Sequence, residues 1–336
     1  MKRFLFAATA LLAFMQVQAQ QTPDIYNRYG HRIVRSGDGW QAADPASLEC
    51  FTARPDTIPG FNAPWEYMND KIESGDYARH VTREFVYKNY PGRELKLYAD
   101  FPAEPCGRPT PWVVLIHGGG WIGGSPEADN NRRIGAYLAG QGITTVRVAY
   151  SLAPYVTFPD TVADLQDALA FVKAHACELN IDPDRLGFTG NSAGGTLCSY
   201  MAMTDPGTKA VASLCGGQEL RSHFTRLDGV RGEKTEAILR DYFMVTVDSL
   251  NFDRFSPVNN IPPAKEIPAV LLIHGTFDNT VMYEQSRIFL DALLESGAEK
   301  AELRPVRYAP HNLFYPRVAA HEDDLIYMTR FFKENL

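Results

Sequence analysis

Along most of this chain, short apolar runs alternate with longer stretches whose apolar positions recur every three or four residues. The runs at 112–116, 144–148, 186–189, 211–214 and 270–273 suit buried strands of a central parallel sheet. Helical patterns fall around 129–138, 162–176 and 193–203, and further ones at 283–294 and 324–332, with another strand at 302–306. Ahead of them, Arg83-Glu84-Phe85-Val86-Tyr87 and Leu95-Lys96-Leu97-Tyr98-Ala99 alternate like half-exposed strands joined through Pro91-Gly92, which predicts a hairpin. An antiparallel start followed by alternating strands and helices predicts an α/β domain with a mostly parallel, doubly wound sheet and helices on both faces. No internal repeat interrupts this order.

The pattern changes toward the N-terminus. Met1-Lys2-Arg3 is basic, 4–14 is apolar and uncharged, and Val17-Gln18-Ala19 offers a small-residue cleavage site, so 1–19 is expected to be a secretory signal peptide. Export places the chain in a periplasm or outside the cell. Residues 20–80 carry five prolines, Pro23, Pro45, Pro55, Pro59 and Pro64, among many aromatics. The aromatics argue against a disordered tail and the prolines against a regular sheet. That segment is expected to be an extension packed over a main domain at 81–336. Within the main domain, 216–265 reads as an insertion between two sheet strands, helical around 234–242, which either roofs the site or is a surface excursion.

Composition narrows the function. The 336 residues, 45% hydrophobic, suffice for a large core. A net charge of −7 leaves no basic footprint for nucleic acid. No stretch after residue 19 is long and apolar enough to span a bilayer. The five cysteines, Cys50, Cys106, Cys177, Cys198 and Cys215, are too few for a disulfide scaffold, although an exported chain has room for one or two bridges. Cys198 and Cys215 read as small buried residues. No Cys/His spacing suggests a metal site, and no cofactor is implied. Protein partners and oligomeric state are not legible.

The chemistry gathers in loops after the predicted strands. Gly190-Asn191-Ser192-Ala193-Gly194 lies between a strand and a helix, which suits a sharp turn holding Ser192 above the sheet as a nucleophile. His117-Gly118-Gly119-Gly120-Trp121 follows the 112–116 strand, and its glycines let peptide N–H groups approach an oxyanion. Gly119 and Gly120, with Ala193 after the nucleophile, are the expected oxyanion donors; His117 is expected to order the loop. The absence of a following Gly-Lys-Ser/Thr argues against a phosphate loop. Asp278 follows the 270–273 strand and His311 the 302–306 strand, giving a Ser192, Asp278, His311 order for nucleophile, orienting carboxylate and base. Asp248, Asp253, His274 and His321 are the competing acidic and imidazole residues.

These motifs, with Tyr150-Ser151-Leu152-Ala153-Pro154, Phe158-Pro159 and Ile181-Asp182-Pro183-Asp184-Arg185, resemble α/β-hydrolase esterases of the hormone-sensitive-lipase and bacterial carbohydrate-esterase type (acetyl xylan and feruloyl esterases) from about Arg83 onward. The resemblance implies a serine esterase acting on a small-molecule or oligosaccharide ester. Asn191 and Ser151 stand where the hormone-sensitive-lipase pattern has Asp and Arg, and no helical cap sequence precedes Arg83, which favours the carbohydrate branch. Short acyl or hydroxycinnamoyl esters of carbohydrates are the expected substrates, with Trp121 as a flat apolar face for them. The rivals are a serine peptidase of the prolyl-peptidase type, a lipase or general carboxylesterase, and a non-catalytic binding protein on the same scaffold.

Overall fold

The structure, a computed structural model, describes residues 80–104, 107–227, 232–306, 309–311 and 321–336, together with three short strands nearer the N-terminus. The chain divides into two compact units, Met1–Arg54 and Pro55–Leu336. In the first, β1 (Ile25–Tyr26), β2 (Arg32–Ser36) and β3 (Gly39–Ala42) form an antiparallel sheet. The expectation that prolines exclude regular sheet is corrected here: none lies between Pro23 and Pro45, so every residue of these strands keeps its ladder N–H. The expected signal peptide and the rest of the N-terminal extension lie outside the described residues.

The second unit is built on an eight-stranded sheet in the order β11-β10-β9-β8-β6-β7-β5-β4. The long hairpin β4 (His80–Tyr90) and β5 (Arg93–Pro102) turns through Pro91-Gly92, with Gly92 at φ 74°. Strand β5 pairs antiparallel with β7 (Thr144–Val148). From there the pairing is parallel through β6 (Thr110–Ile116), β8 (Ile181–Asn191), β9 (Thr208–Leu214), β10 (Ala269–Gly275) and β11 (Ala301–Val306).

Strand periodicity distributes the core over two faces. Trp112, Val114 and Ile116 enter one apolar cluster, Val113 and Leu115 the other. On the second face lie α1 (Asp129–Gly140) and the C-terminal α9 (His321–Asn335), contributing Leu138 and Phe332. The first face receives α2 (Phe158–Ala174), α4 (Ala193–Thr204) and α8 (Glu284–Glu295) through Leu165, Leu197 and Phe289. A capping box between Thr157 and Asp160, with proline in the first turn, starts α2. The one-turn α3 (Ala176–Leu179) ends at Asn180 in the left-handed region and leads into β8.

Among the described residues of the 216–265 stretch are α5 (Leu220–Leu227), α6 (Glu233–Tyr242) and α7 (Asn251–Phe255), followed by two 3-10 turns, the second ending at Glu266. They are not a surface excursion. Leu220, Phe224, Leu239, Tyr242, Phe243 and Phe252 are buried in the same cluster as Trp121 and Leu197. Phe224 stacks on Phe252 with centroids 4.7 Å apart, and Phe243 meets Trp121 edge-on at 5.1 Å.

Candidate active site

Six parallel strands end at one edge of the sheet, and the loops leaving them there carry the polar groups, as open α/β sheets place their sites. Strand β8 passes through Gly190 and Asn191 into Ser192, whose φ of 56° and ψ of −123° are strained for a residue with a Cβ. The strain is held by the Ser192 N–H donating to the Leu214 carbonyl at 2.9 Å, while its own carbonyl accepts from Thr196 N–H in the first turn of α4. The flanking glycines are required by close approach: a Cβ on Gly194 would lie 2.0 Å from the Ile116 carbonyl oxygen, and one on Gly190 2.4 Å from that of Gly194.

The loop after β6 folds back above this turn. Gly119 sits at φ 126°, and a Cβ there would lie 2.1 Å from the Gly123 oxygen; Gly120 is at φ 62°. The N–H groups of Gly119, Gly120 and Ala193 donate to no acceptor among the described residues. Two groups fix the loop. Asn191 accepts the Gly118 N–H at 3.2 Å, so the amide that stands where the hormone-sensitive-lipase pattern has Asp ties the elbow to the glycine loop. The His117 ring stacks on Tyr150 with centroids 4.2 Å apart, its Nδ1 bonds the Gly118 carbonyl at 2.7 Å, and the Tyr150 hydroxyl donates to the His117 carbonyl. Burial pushes the His117 imidazole down to about 4, so it is neutral and orders the loop.

Opposite the serine, His311 places Nε2 2.8 Å from Ser192 Oγ and Nδ1 2.7 Å from Asp278 Oδ2. The other carboxylate oxygen of Asp278 accepts the N–H groups of Thr280 and Val281, each at 2.9 Å. His274, fully buried at the end of β10, brings Nε2 to 3.2 Å from Asp278 Oδ2 and 2.9 Å from the Val281 carbonyl, while its Nδ1 bonds Ser286 Oγ at 2.7 Å. Burial opposes ionisation of Asp278, but hydrogen bonds from His274 and His311 prevail and hold it well below the usual carboxylate range. For His311, burial lowers the imidazole, and the hydrogen bond and charge of the Asp278 carboxylate oppose it, so the group is raised.

Ser192, His311 and Asp278, expected on three separate loops, are thus one hydrogen-bonded chain beneath the glycine loop. Of the competitors, Asp248 and Asp253 pair with Arg254 and Arg221 on the insertion, and His274 serves Asp278 instead of the serine. His321 begins α9. Trp121 corrects an expectation. It is 2% exposed and packed among Phe224 and Phe243, so it offers no flat outward face. The outward aromatic near this loop is Tyr155, 86% exposed, two residues beyond Ala153, whose N–H bonds the Trp121 carbonyl at 2.9 Å. Sequence reading also misses Arg93, which donates to Ser151 Oγ at 2.7 Å and so brings a guanidinium from β5 to the position where the Y-R-L-A-P pattern has its own. No sequence signal links residues so far apart.

This strand order and elbow, with a carboxylate after β10 and an imidazole after β11, define an α/β-hydrolase. Within that class the BD-FAE family model matches residues 100–293, more than half of the chain, and the chain belongs to that family. Among curated proteins it is similar to isoprenylcysteine alpha-carbonyl methylesterase ICME of Arabidopsis thaliana, 27% identical over 242 residues, which are 68% of this chain and 55% of that protein. Esterase LipC of Mycobacterium tuberculosis is 26% identical, over 62% of this chain and 56% of its own. The chain spans about half the length of the curated relatives it matches. Among solved structures, Thermogutta terrifontis esterase 2 aligns with a TM-score of 0.63 at 28% identity, covering 75% of this chain and 94% of that one. Carboxyl esterase 2 of Tuber melanosporum shares the fold, with a TM-score of 0.63 at 21% identity over 77% of this chain and 88% of its own.

Proposed function

We propose that this protein is an exported carboxylic-ester hydrolase acting through Ser192, His311 and Asp278 on short acyl or hydroxycinnamoyl esters of carbohydrates. The observation that carries the catalytic part is the pair of short contacts at His311, 2.8 Å to Ser192 Oγ and 2.7 Å to Asp278. In this reading Ser192 Oγ attacks the ester carbonyl as His311 Nε2 takes its proton, and the oxyanion settles on the N–H groups of Gly119, Gly120 and Ala193. His311 returns the proton to the departing alcohol. Water then cleaves the acyl-serine by the same path in reverse, with Asp278 stabilising the imidazolium in both halves.

Short acyl groups are favoured by the aromatic packing of Trp121, Phe224 and Phe243, which fills the space behind the oxyanion loop. Thermogutta terrifontis esterase 2 has been solved with propionate and with butyrate bound, which supports the same range. Tyr155 supplies an exposed ring of the kind that packs on sugars. No helix among the described residues is long and apolar enough to cross a membrane. The test compares acid release from acetylated and feruloylated oligosaccharides, aryl butyrate and octanoate, long-chain triglyceride and an aminoacyl anilide. Preference for the oligosaccharide esters is expected; preference for triglyceride or for the anilide would move the protein to the lipase or peptidase reading. Export is tested separately by the N-terminus of protein recovered from the native host, expected at Gln20; an intact Met1 contradicts it.

A further inference from the structure

A thiol lies against the same imidazole that faces the serine. Cys215 follows the last residue of β9, has φ of 44°, is 1% exposed, and its sulfur donates to the His311 carbonyl at 3.2 Å. Single ligand atoms of Cys215, Asp278 and His311 fall within 4.8 Å of one another. Ester hydrolysis through Ser192 has no use for this sulfur, which is buried away from any substrate.

A thiol, an imidazole and a carboxylate are the donor types of zinc and of softer thiophilic cations, and the sulfur weighs against magnesium or calcium. With bonds of about 2.3 Å to sulfur and roughly 2.0–2.2 Å to nitrogen and oxygen, the donors of a tetrahedral ion stand roughly 3.4–3.6 Å apart, so the sulfur has at most about an ångström to close and the His311 Nδ1 to Asp278 Oδ2 pair, now 2.7 Å, has to open by roughly 0.7 Å. The His311 Nδ1 to Asp278 Oδ2 hydrogen bond already aims two lone pairs at one point, now filled by a proton. We propose that Cys215, Asp278 and His311 form an inhibitory site for a thiophilic divalent cation, Zn²⁺ or Cd²⁺. The cation takes the place of the Nδ1 proton. That proton moves to Nε2, the thiol proton leaves to solvent, and one proton is released per ion bound. With Nε2 protonated, His311 has no lone pair to receive the Ser192 proton, so hydrolysis stops while the fold persists. Spacing along the sequence hides such a site, because its donors come from the ends of three different strands.

The inhibition arm of the test rests on the hydrolase reading; the binding arm does not. Cys177, an exposed free thiol, is replaced by Ser throughout to remove a competing ligand. Cd²⁺ is titrated into this protein and into its Cys215→Ser derivative while the ultraviolet cadmium–thiolate absorption is followed. One equivalent of Cys215-dependent absorption is expected, and the Zn²⁺ concentration for half-inhibition should rise at least about tenfold with Cys215→Ser. A chelator should restore activity. Equal absorption and equal Zn²⁺ sensitivity in the two proteins would overturn the site, as would Cys215-dependent cadmium binding that leaves hydrolysis untouched. Should Cys215→Ser fail to fold, Asp278→Asn keeps the thiol and is read by the same band: its cadmium affinity should fall at least about tenfold, and unchanged affinity would overturn the assignment equally. A protein inactive on every ester that still shows the Cys215-dependent band would defeat the hydrolase reading and leave the cation site standing.

Discussion

Two neighbouring strands of this sheet end in similar ways. Strand β8 runs into Ser192 at φ 56° and β9 into Cys215 at φ 44°, and each donates its N–H to the strand beyond, to Leu214 and Ile273 respectively. Both residues are succeeded by paired glycines at a close distance, and both side chains touch His311. The chain beyond each turn differs. After Ser192 it becomes α4, which lifts the hydroxyl toward solvent and leaves the Ala193 N–H at a helix N-terminus. After Cys215 it passes through Gly216 and Gly217, packed against Gly195 and Thr196, and the sulfur stays buried. Strain and an adjacent imidazole are common to both residues; what sets Ser192 apart is a strand-to-helix turn that also exposes its side chain beside the N–H groups of the glycine loop.

If that comparison is right, the two residues respond very differently to loss. Ser192→Ala should lower kcat by on the order of 10⁶ with the thermal midpoint preserved, since the members of such a set act as a unit; Cys215→Ser in metal-free buffer should retain at least roughly a third of wild-type kcat, because its sulfur touches no reacting atom. Asp278→Asn comes next, at about 10⁴ in kcat, because the wrong imidazole tautomer is then favoured. The pH profile sharpens this. His311 must be neutral to accept a proton, and the Asp278 carboxylate raises it against burial, so kcat/KM should fall with acid along a limb centred above the ordinary 6.5. In Asp278→Asn the residual activity should show that limb at lower pH, and a limb that stays put would remove Asp278 from contact with the base.

Smaller effects separate positioning from packing. His274→Gln should cost roughly 10- to 100-fold in kcat, the worth of one hydrogen bond to a charged group, with KM little changed. It should also move the acid limb upward, because a carboxylate with one donor fewer attracts the imidazolium more strongly; a loss of kcat with an unmoved limb would reduce His274 to packing. Trp121→Ala, which empties an aromatic cluster, should destabilise the fold by about 3–5 kcal/mol in denaturant titrations and depress turnover on all esters alike. Tyr155→Ala should leave stability unchanged and weaken oligosaccharide esters two- to fivefold, on the order of one exposed ring contact, relative to an aryl acetate; equal loss on both would remove Tyr155 from substrate contact.

The contrast between what is readable in the sequence and what is not obeys the same division. The strands at 112–116 and 144–148, the hairpin and the order Ser192, Asp278, His311 are legible because each is a local signal: an apolar run, then a loop with a fixed residue type. The elbow glycines carry a steric requirement that sequence displays directly. Contacts between distant loops are not legible. Nothing in the pattern brings Arg93 to Ser151, Cys215 beside His311, or His274 to Asp278 rather than to the serine. Trp121 is expected to offer a flat face to substrate and does not, because hydrophobicity does not say which side of a turn an aromatic ring takes; the partners that bury it, Phe224 and Phe243, come from the insertion, about a hundred residues further along the chain.

The claim that Ser192 is the acylated nucleophile is tested most directly by trapping the intermediate. Purified protein is mixed with an excess of a slowly deacylating aryl ester, quenched in acid, and digested for mass spectrometry, alongside Ser192→Ala and Cys215→Ser. A burst of one equivalent of aryl alcohol, with a single acyl group on the peptide containing Ser192, present in Cys215→Ser and absent from Ser192→Ala, is the expected result. An acyl group found on Cys215, or a full burst from Ser192→Ala, would contradict it.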